Sequence, residues 1–133
     1  MKQLLVLICS LFSFSTTGCK QSSYDDGVIK ISPKDLNDII NNEDIQLVDV
    51  RTSKEFRAGH IAGSININFF STNFRSLIEK RLDKEKPVYI YCRSGKRSAK
   101  SVKVFKTLGF KKIYDLKGGF LSWKEKDFTI STE

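Results

Sequence analysis

Cys92 is the residue of this sequence whose setting most directly suggests chemistry. It follows the β-forming run Val88–Tyr91 and precedes small and basic residues, in the stretch VYIYCRSGKRSAK. Four of the residues 93–100 are Lys or Arg, and none is Asp or Glu. A thiol reacts as its thiolate, which cationic neighbours and helix N-termini favour. The stretch therefore predicts a thiolate nucleophile at Cys92 in surroundings that attract anions.

The residues after Cys92 predict an anion-binding loop. They join a strand to a helix predicted over Ser98–Leu108, so successive backbone N–H groups can curl inward at a positive helix end. Gly95 permits the positive φ that such a curl often needs. The residues expected to bind an anionic substrate are Arg93, Ser94, Gly95, Lys96, Arg97 and Ser98.

Strand and helix signals alternate along the chain and would position this loop. Strands are predicted at Val28–Ile31, at Ile45–Val50, within Ile61–Ile67, at Val88–Tyr91 and at Lys112–Asp115. Helices are predicted from Pro33 to about Asn41 behind a Ser32 cap, from Thr52 or Ser53 to Arg57, over Phe74–Leu82, over Ser98–Leu108 and after Gly118-Gly119. This alternation predicts an α/β fold with a five-stranded, mostly parallel sheet covered by helices on both faces. Sites in such sheets lie at the carboxyl ends of the strands, where Cys92 stands.

The composition is that of one folded domain with a basic surface. The chain has 133 residues, a hydrophobic fraction of 40% and a formal net charge of +8. No aromatic residue interleaves with the basic residues between Cys92 and Phe105, which argues against a stacking surface for nucleic acid. No acidic residue occurs between Glu85 and Asp115, so much of the positive charge is concentrated there. More distant lysines of this interval, Lys106, Lys111 and Lys112, are interpreted as solvated surface.

The first residues predict export. A short basic start is followed by an apolar segment from Leu4 to Phe14, which is too short for an ordinary membrane span and has signal-peptide proportions. The sequence STTGC then resembles a bacterial lipoprotein cleavage site, with lipidation of Cys19; an ordinary secretory signal is the alternative. We expect a signal peptide at 1–18, a lipidated tether at 19–27 and one domain at 28–133. Cys92 would then be the only free thiol of a monomer anchored in the cell envelope, on the periplasmic face.

Three segments together resemble the single-domain rhodaneses, which are sulfurtransferases. They are LVDVRTSKEFRAGHIAGSININ, VYIYCRSGKRSAKSVKVFKTLGF and IYDLKGGFLSWK, and the resemblance extends over about Ile31 to Lys126. It implies a rhodanese-like three-layer sandwich and a persulfide on Cys92. The sulfur would come from an anionic donor such as thiosulfate and pass to cyanide or a thiol. No metal or organic cofactor is implied.

The resemblance also suggests roles for residues outside the loop. Asp49 and Arg51 are expected to support the site by tying the loop to neighbouring elements, and Glu55 is placed in the same set of ion pairs. His60, the only histidine, belongs to a turn element of the family and is not expected to be catalytic. Residues 69–73 could shape the rim of the pocket, and their role stays open.

Two other functions remain open at this point. Phosphatases with a related loop have five residues between the cysteine and the arginine, whereas four separate Cys92 from Arg97, which favours sulfur over a phosphoryl group. A non-enzymatic persulfide carrier, or a rhodanese module that docks a partner, is the second alternative. Among donors, 3-mercaptopyruvate and polysulfide are anions as suitable as thiosulfate.

Overall fold

Strands and helices alternate along residues 27–133, the part of the chain that the computed structural model describes. In chain order they are β1 (Val28–Ile31), α1 (Pro33–Asn42), β2 (Gln46–Asp49), α2 (Ser53–Ala58), β3 (His60–Ile61), β4 (Ile65–Asn66), α3 (Phe74–Arg81), β5 (Val88–Tyr91), α4 (Lys96–Thr107), β6 (Ile113–Leu116), α5 (Gly119–Glu125) and β7 (Ile130–Ser131). None of the helices in residues 27–133 has both the length and the apolar character of a membrane span. The predicted signal peptide and Cys19 lie outside the described residues.

Five of these strands form one parallel sheet in the order β1-β6-β5-β2-β4. The predicted α/β fold is therefore confirmed. Because β5 lies in the centre of the sheet, its residues are buried on both faces, as the uninterrupted apolar run Val88–Tyr91 indicates. The residue after β5 is Cys92, so the thiol lies in the middle of the carboxyl edge of the sheet.

Alternation along β5 divides the core into two layers, since successive strand residues face opposite sides. Val88, Ile90 and Cys92 pack with Phe105 of α4 and with α3 on one side. Tyr89 and Tyr91 pack on the other side with a second cluster that includes Leu36 of α1, Phe120 and Trp123. Cys92 is thus anchored in the apolar layer beneath α4.

Side-chain caps begin two of the helices where the sequence predicts them. Ser32 Oγ accepts a hydrogen bond from the Asp35 N–H at 3.1 Å. Thr52 and Glu55 form a reciprocal capping box, in which the Thr52 N–H donates to Glu55 Oε2 at 3.0 Å. Such caps stabilise a protein by about 1 kcal/mol each. The second cap also holds Glu55 in one orientation at the start of α2.

The prediction of one strand within Ile61–Ile67 is incomplete, because this segment belongs to two different sheets. A turn at Gly63, with φ +83°, separates β3 from β4, and the Ser64 N–H donates to the Ile61 carbonyl at 3.0 Å. β4 joins the edge of the main sheet beside β2, whereas β3 pairs antiparallel with β7. The β3–β7 ribbon brings Ile130 toward the end of α2.

The prediction that α4 begins at Ser98 is wrong by two residues. Gly95 has φ +102° and ends the loop, and its carbonyl accepts the first helical hydrogen bond from the Ala99 N–H at 3.1 Å. Because glycine adopts this conformation without a steric cost, the helix can start directly after it, at Lys96. Lys96 and Arg97 therefore belong with Ser98 to the first turn of α4 rather than to the loop.

Candidate active site

Cys92 is enclosed by the start of α4, and only 1% of it is exposed. Its sulfur accepts a hydrogen bond from the Gly95 N–H at 3.1 Å. The thiol also donates to Ser98 Oγ at 3.6 Å, and that hydroxyl donates to the Gly95 carbonyl at 3.2 Å. Two of the residues predicted to bind the substrate, Gly95 and Ser98, thus contact the sulfur directly.

The position of the sulfur suits a negative charge. α4 is twelve residues long, and the peptide dipoles of a helix sum to about half a positive charge at its N-terminus. Gly95 precedes the first helical residue, and its N–H points at Cys92 Sγ. The Gly95 N–H and the positive end of α4 therefore both face Cys92 Sγ, in the arrangement by which helix N-termini bind anions.

The other side of the loop is held by α5. The Phe120 N–H donates to the Cys92 carbonyl at 2.8 Å, and the Leu121 N–H donates to the Arg93 carbonyl at 3.0 Å. These bonds require Gly119, because a β-carbon at this position would lie 2.5 Å from the Cys92 carbonyl oxygen and 2.6 Å from that of Arg93. Gly119 is thus a site-supporting residue that the predicted set omits. The available signal was a pair of consecutive glycines, one residue after the end of β6.

Arg97 is committed to Glu55. Its Nη1 and Nη2 donate to the two carboxylate oxygens of Glu55 at 2.7 and 2.8 Å. These hydrogen bonds, helped by Thr52 and opposed by burial, lower the pKa of Glu55 to about 2. Glu55 is predicted to share a set of ion pairs with Asp49 and Arg51, but its ion-pair partner is Arg97. The pair connects α2 to the first turn of α4.

Arg93 and Lys96 are the exposed cations of the site, on either side of the exposed Ser94. Within residues 27–133, neither takes part in a salt bridge. Both charges are therefore available to an anion that approaches the loop, whereas the charge of Arg97 is balanced by Glu55.

Asp49 and Arg51 form a buried pair beneath the loop, with 0% and 4% of their side chains exposed. Arg51 Nη2 donates to Asp49 Oδ2 and to the Gly59 carbonyl, both at 2.6 Å. The Arg51 guanidinium also stacks on Phe120 of α5, with 4.2 Å from Cζ to the ring centroid. The pair thus links β2, the end of α2 and α5, which are the elements around the loop.

His60 and the two adjacent phenylalanines have separate surroundings. The His60 ring is buried, stacks on Phe56 at 3.7 Å and places Nδ1 2.9 Å from the Phe56 carbonyl oxygen. Phe69 packs edge-on against Phe74 in the core. Phe70 is 66% exposed, and Arg97 Cζ lies 5.8 Å from its ring centroid. Of the open residues 69–73, Phe70 is the aromatic side chain that contacts the site.

Two grooves flank the loop. The first, which we call the Arg93 groove, has a volume of about 240 Å³ and is lined by Arg51, Glu55, Arg93, Phe120, Leu121 and Lys124, with Ile130 at its edge. The second has a volume of about 490 Å³, and its lining includes Lys30, Ser94, Gly95, Lys96 and Lys117. Among residues 27–133 there is no group of three or more His, Cys, Asp or Glu side chains placed to hold a metal ion.

Residues 32–126 match the family of rhodanese-like domains. A crystal structure of a rhodanese-related protein from Thermoplasma volcanium has a TM-score of 0.64 and 31% identity, covering 79% of this chain and 99% of that one. The solution structure of a rhodanese-like domain from Anabaena shares 20% identity at a TM-score of 0.71 and covers 78% of this chain and 79% of that one.

Among curated proteins, the chain is 38% identical over 99 residues to a tRNA uridine(34) hydroxylase of Picosynechococcus, covering 72% of this chain and 33% of that protein. It is 40% identical over 81 residues to the Bacillus subtilis protein YqhL, covering 61% and 62% of the two chains. The chain therefore spans about a third of the hydroxylase and less than two thirds of YqhL.

Proposed function

Because this chain belongs to the family of rhodanese-like domains, we propose that it is a sulfurtransferase. It would move a sulfane sulfur from an anionic donor, thiosulfate foremost, to cyanide or a thiol, through a persulfide on Cys92. The observation that carries this proposal is the hydrogen bond from the Gly95 N–H to Cys92 Sγ, at the start of α4. It supports a sulfur that is negatively charged before and after the transfer.

In the first half of the cycle, the Cys92 thiolate attacks the outer sulfur of thiosulfate. A bond forms between Sγ and that sulfur, the sulfur–sulfur bond of thiosulfate breaks, and its electron pair leaves with sulfite. Arg93 and Lys96 are the cations that would hold the sulfonate end of the donor. Arg97 would contribute indirectly, by holding the first turn of α4 against α2.

In the second half, the acceptor attacks the outer sulfur of the persulfide. With cyanide, a carbon–sulfur bond forms, the persulfide bond breaks, and its electron pair returns to Sγ as the thiolate. Thiocyanate leaves, and the enzyme is restored. One nucleophile thus divides the transfer into two displacements at sulfur.

Intact-mass measurement after incubation with thiosulfate tests the first half. We expect one added sulfur on the protein with residues 28–133 and none on its Cys92→Ser variant. Ser76→Ala is the control, because Ser76 is exposed on α3 and its hydroxyl donates to the Asn73 carbonyl, away from the loop. Absence of the added sulfur with thiosulfate, 3-mercaptopyruvate and polysulfide alike would contradict the proposal.

A non-enzymatic persulfide carrier, or a module that docks a partner, is the alternative for the same cysteine. Turnover separates the two, because an enzyme releases many thiocyanate ions per Cys92 and a carrier releases one. The enclosed Cys92 and the exposed cations beside it favour the enzyme.

The similarity to tRNA uridine(34) hydroxylases favours a second candidate, an action on tRNA. The match covers only about a third of those proteins, so their activity is a proposal for this chain. A filter-binding assay with bulk tRNA tests it. If the protein binds tRNA only weakly, and no more tightly than it binds unrelated RNA, this candidate is contradicted.

We also propose that the protein is an exported lipoprotein, anchored through Cys19 at the periplasmic face of the cell envelope, with a monomeric domain. The support is the arrangement of residues 1–19, a basic start, an apolar segment and STTGC. Detergent phase partitioning of the exported protein, with Cys19→Ser as control, tests the anchor. Recovery of the unmodified chain in the aqueous phase would refute it.

A further inference from the structure

We propose that the Arg93 groove is the acceptor site of this sulfurtransferase and that it binds a small thiol carrying a carboxylate, with Lys124 as the anchor of that carboxylate. The inference rests on the proposed function and specifies its second substrate. It follows from how the groove is attached to the loop, from the balance of its charges and from its size.

The groove is joined directly to the reactive loop. Arg93, the residue after Cys92, lies at one end, and Phe120 and Leu121 form part of its wall. The backbone N–H groups of these two α5 residues donate to the carbonyls of Cys92 and Arg93. A molecule that lies in the groove therefore contacts the residue that follows Cys92, on the side of the loop that α5 holds.

Two of the four charged side chains in the lining already have partners. Arg51 is paired with Asp49, and Glu55 with Arg97. Arg93 and Lys124 remain, and neither forms a salt bridge within the described residues 27–133. The groove thus has two unbalanced positive charges, which complement an anionic ligand.

Apolar surface adjoins these cations. Lys124 Nζ lies 5.3 Å from the centroid of the Phe120 ring, and Leu121 and Ile130 also line the groove. Ile130 is 44% exposed and is brought there by the β3–β7 ribbon. This lining fits a ligand with a short apolar body and a negative end, rather than an inorganic anion.

The volume limits the ligand to a small molecule. The groove holds about 240 Å³, below the range of about 300–1,000 Å³ that is usual for drug-sized ligands. A low-molecular-weight thiol fits this space, whereas the side chain of a large partner would use only its mouth. The groove therefore favours a small acceptor over a protein or an RNA.

The chemistry of this step balances without another reactant. The acceptor thiol first loses its proton to water, and its thiolate attacks the outer sulfur of the Cys92 persulfide. A sulfur–sulfur bond forms in the acceptor, the persulfide bond breaks, and its electron pair returns to Cys92 Sγ. The products are the acceptor persulfide and the free Cys92 thiolate.

Kinetics with matched thiols test the inference. The probes are 3-mercaptopropionate and 6-mercaptohexanoate, each compared with its neutral amide, and thiosulfate is the donor. One of the two carboxylates should fit the length of the groove better than the other. We expect its KM to be about fivefold below that of its amide, which is the effect of one partly exposed ion pair. In Lys124→Gln this ratio should fall to about one.

Lys126→Gln is the matched control, because Lys126 is an exposed lysine at the end of the same helix and lies outside the groove lining. It should keep the wild-type ratio. Equal KM values for carboxylate and amide in the wild type would overturn the inference, as would a ratio that survives Lys124→Gln or that Lys126→Gln abolishes equally.

Cyanide separates this inference from the proposed function. If the wild type makes thiocyanate from thiosulfate and cyanide but does not distinguish the carboxylate thiols from their amides, only the acceptor site is wrong. If no thiocyanate forms and no persulfide is detected, the proposed function itself fails.

Discussion

Arg93 and Arg97 both follow Cys92 within five residues, but their surroundings differ. Arg93 is exposed, and its backbone carbonyl, rather than its side chain, is held by α5. Arg97 has its guanidinium fixed on both oxygens of Glu55 and lies beside the Phe70 ring. One arginine is therefore available to a ligand, and the other connects two helices. A cation that is close to a cysteine in sequence can bind a ligand or connect two helices. Which of these roles it has depends on whether a carboxylate lies within its reach in the folded protein.

The largest expected effect comes from disrupting the attachment of the loop to α5, which holds the backbone carbonyls of Cys92 and Arg93. In Gly119→Ala the new methyl group would meet the carbonyl oxygens of Cys92 and Arg93 at 2.5 and 2.6 Å. We expect the free energy of unfolding in urea to fall by about 3 kcal/mol, with loss of activity. Gly63→Ala is the control, because Gly63 also has a positive φ but no atom within 4 Å of the added carbon. It should lose only about 1 kcal/mol. Equal losses in the two variants would mean that the contact with the loop is unimportant.

Exchanging each arginine for glutamine tests the comparison itself. Arg97→Gln should lower the free energy of unfolding by about 1 kcal/mol, since it breaks a two-bonded and partly buried ion pair. Arg93→Gln should leave stability within about 0.5 kcal/mol of the wild type but raise the KM for thiosulfate about fivefold. Urea unfolding and initial rates of thiocyanate formation measure both quantities. A reversed pattern would assign the binding role to Arg97.

The smallest expected effect is a change in the free energy of unfolding at acid pH. The pKa of Glu55 is lowered to about 2, mainly by the hydrogen bond from Arg97. A lowered pKa in the folded state means that the stabilisation is complete above the ordinary glutamate value and is lost as the pH falls toward 2. The stability difference between the wild type and Glu55→Gln should therefore shrink between about pH 5 and about pH 2.5. Unfolding in urea at several pH values measures it. If the stability difference stays constant over this pH range, the ionised carboxylate of Glu55 is not its source.

Much of the fold could be predicted from local patterns. The caps at Ser32 and Thr52, the buried strand Val88–Tyr91 and the five-stranded sheet follow from residue types and spacing. The segment Ile61–Ile67 could not be divided from its sequence, because the partner of β3 is Ile130–Ser131, some seventy residues further along the chain. The predicted start of α4 is two residues late. Gly95 takes part in the curled loop after Cys92, as predicted, but it is also the last residue of that loop.

The candidate site divides in the same way. By itself, the sequence determined that Cys92 directly follows a strand, that Gly95 can adopt a positive φ and that cations follow. These features depend on residues within one turn of each other. Only the tertiary structure decided that Arg97 is held by Glu55, 42 residues away, and that Gly119 lets α5 bind the loop. Partners that are distant along the chain meet only when the sheet orders its strands, and no local propensity records which charge will find a carboxylate.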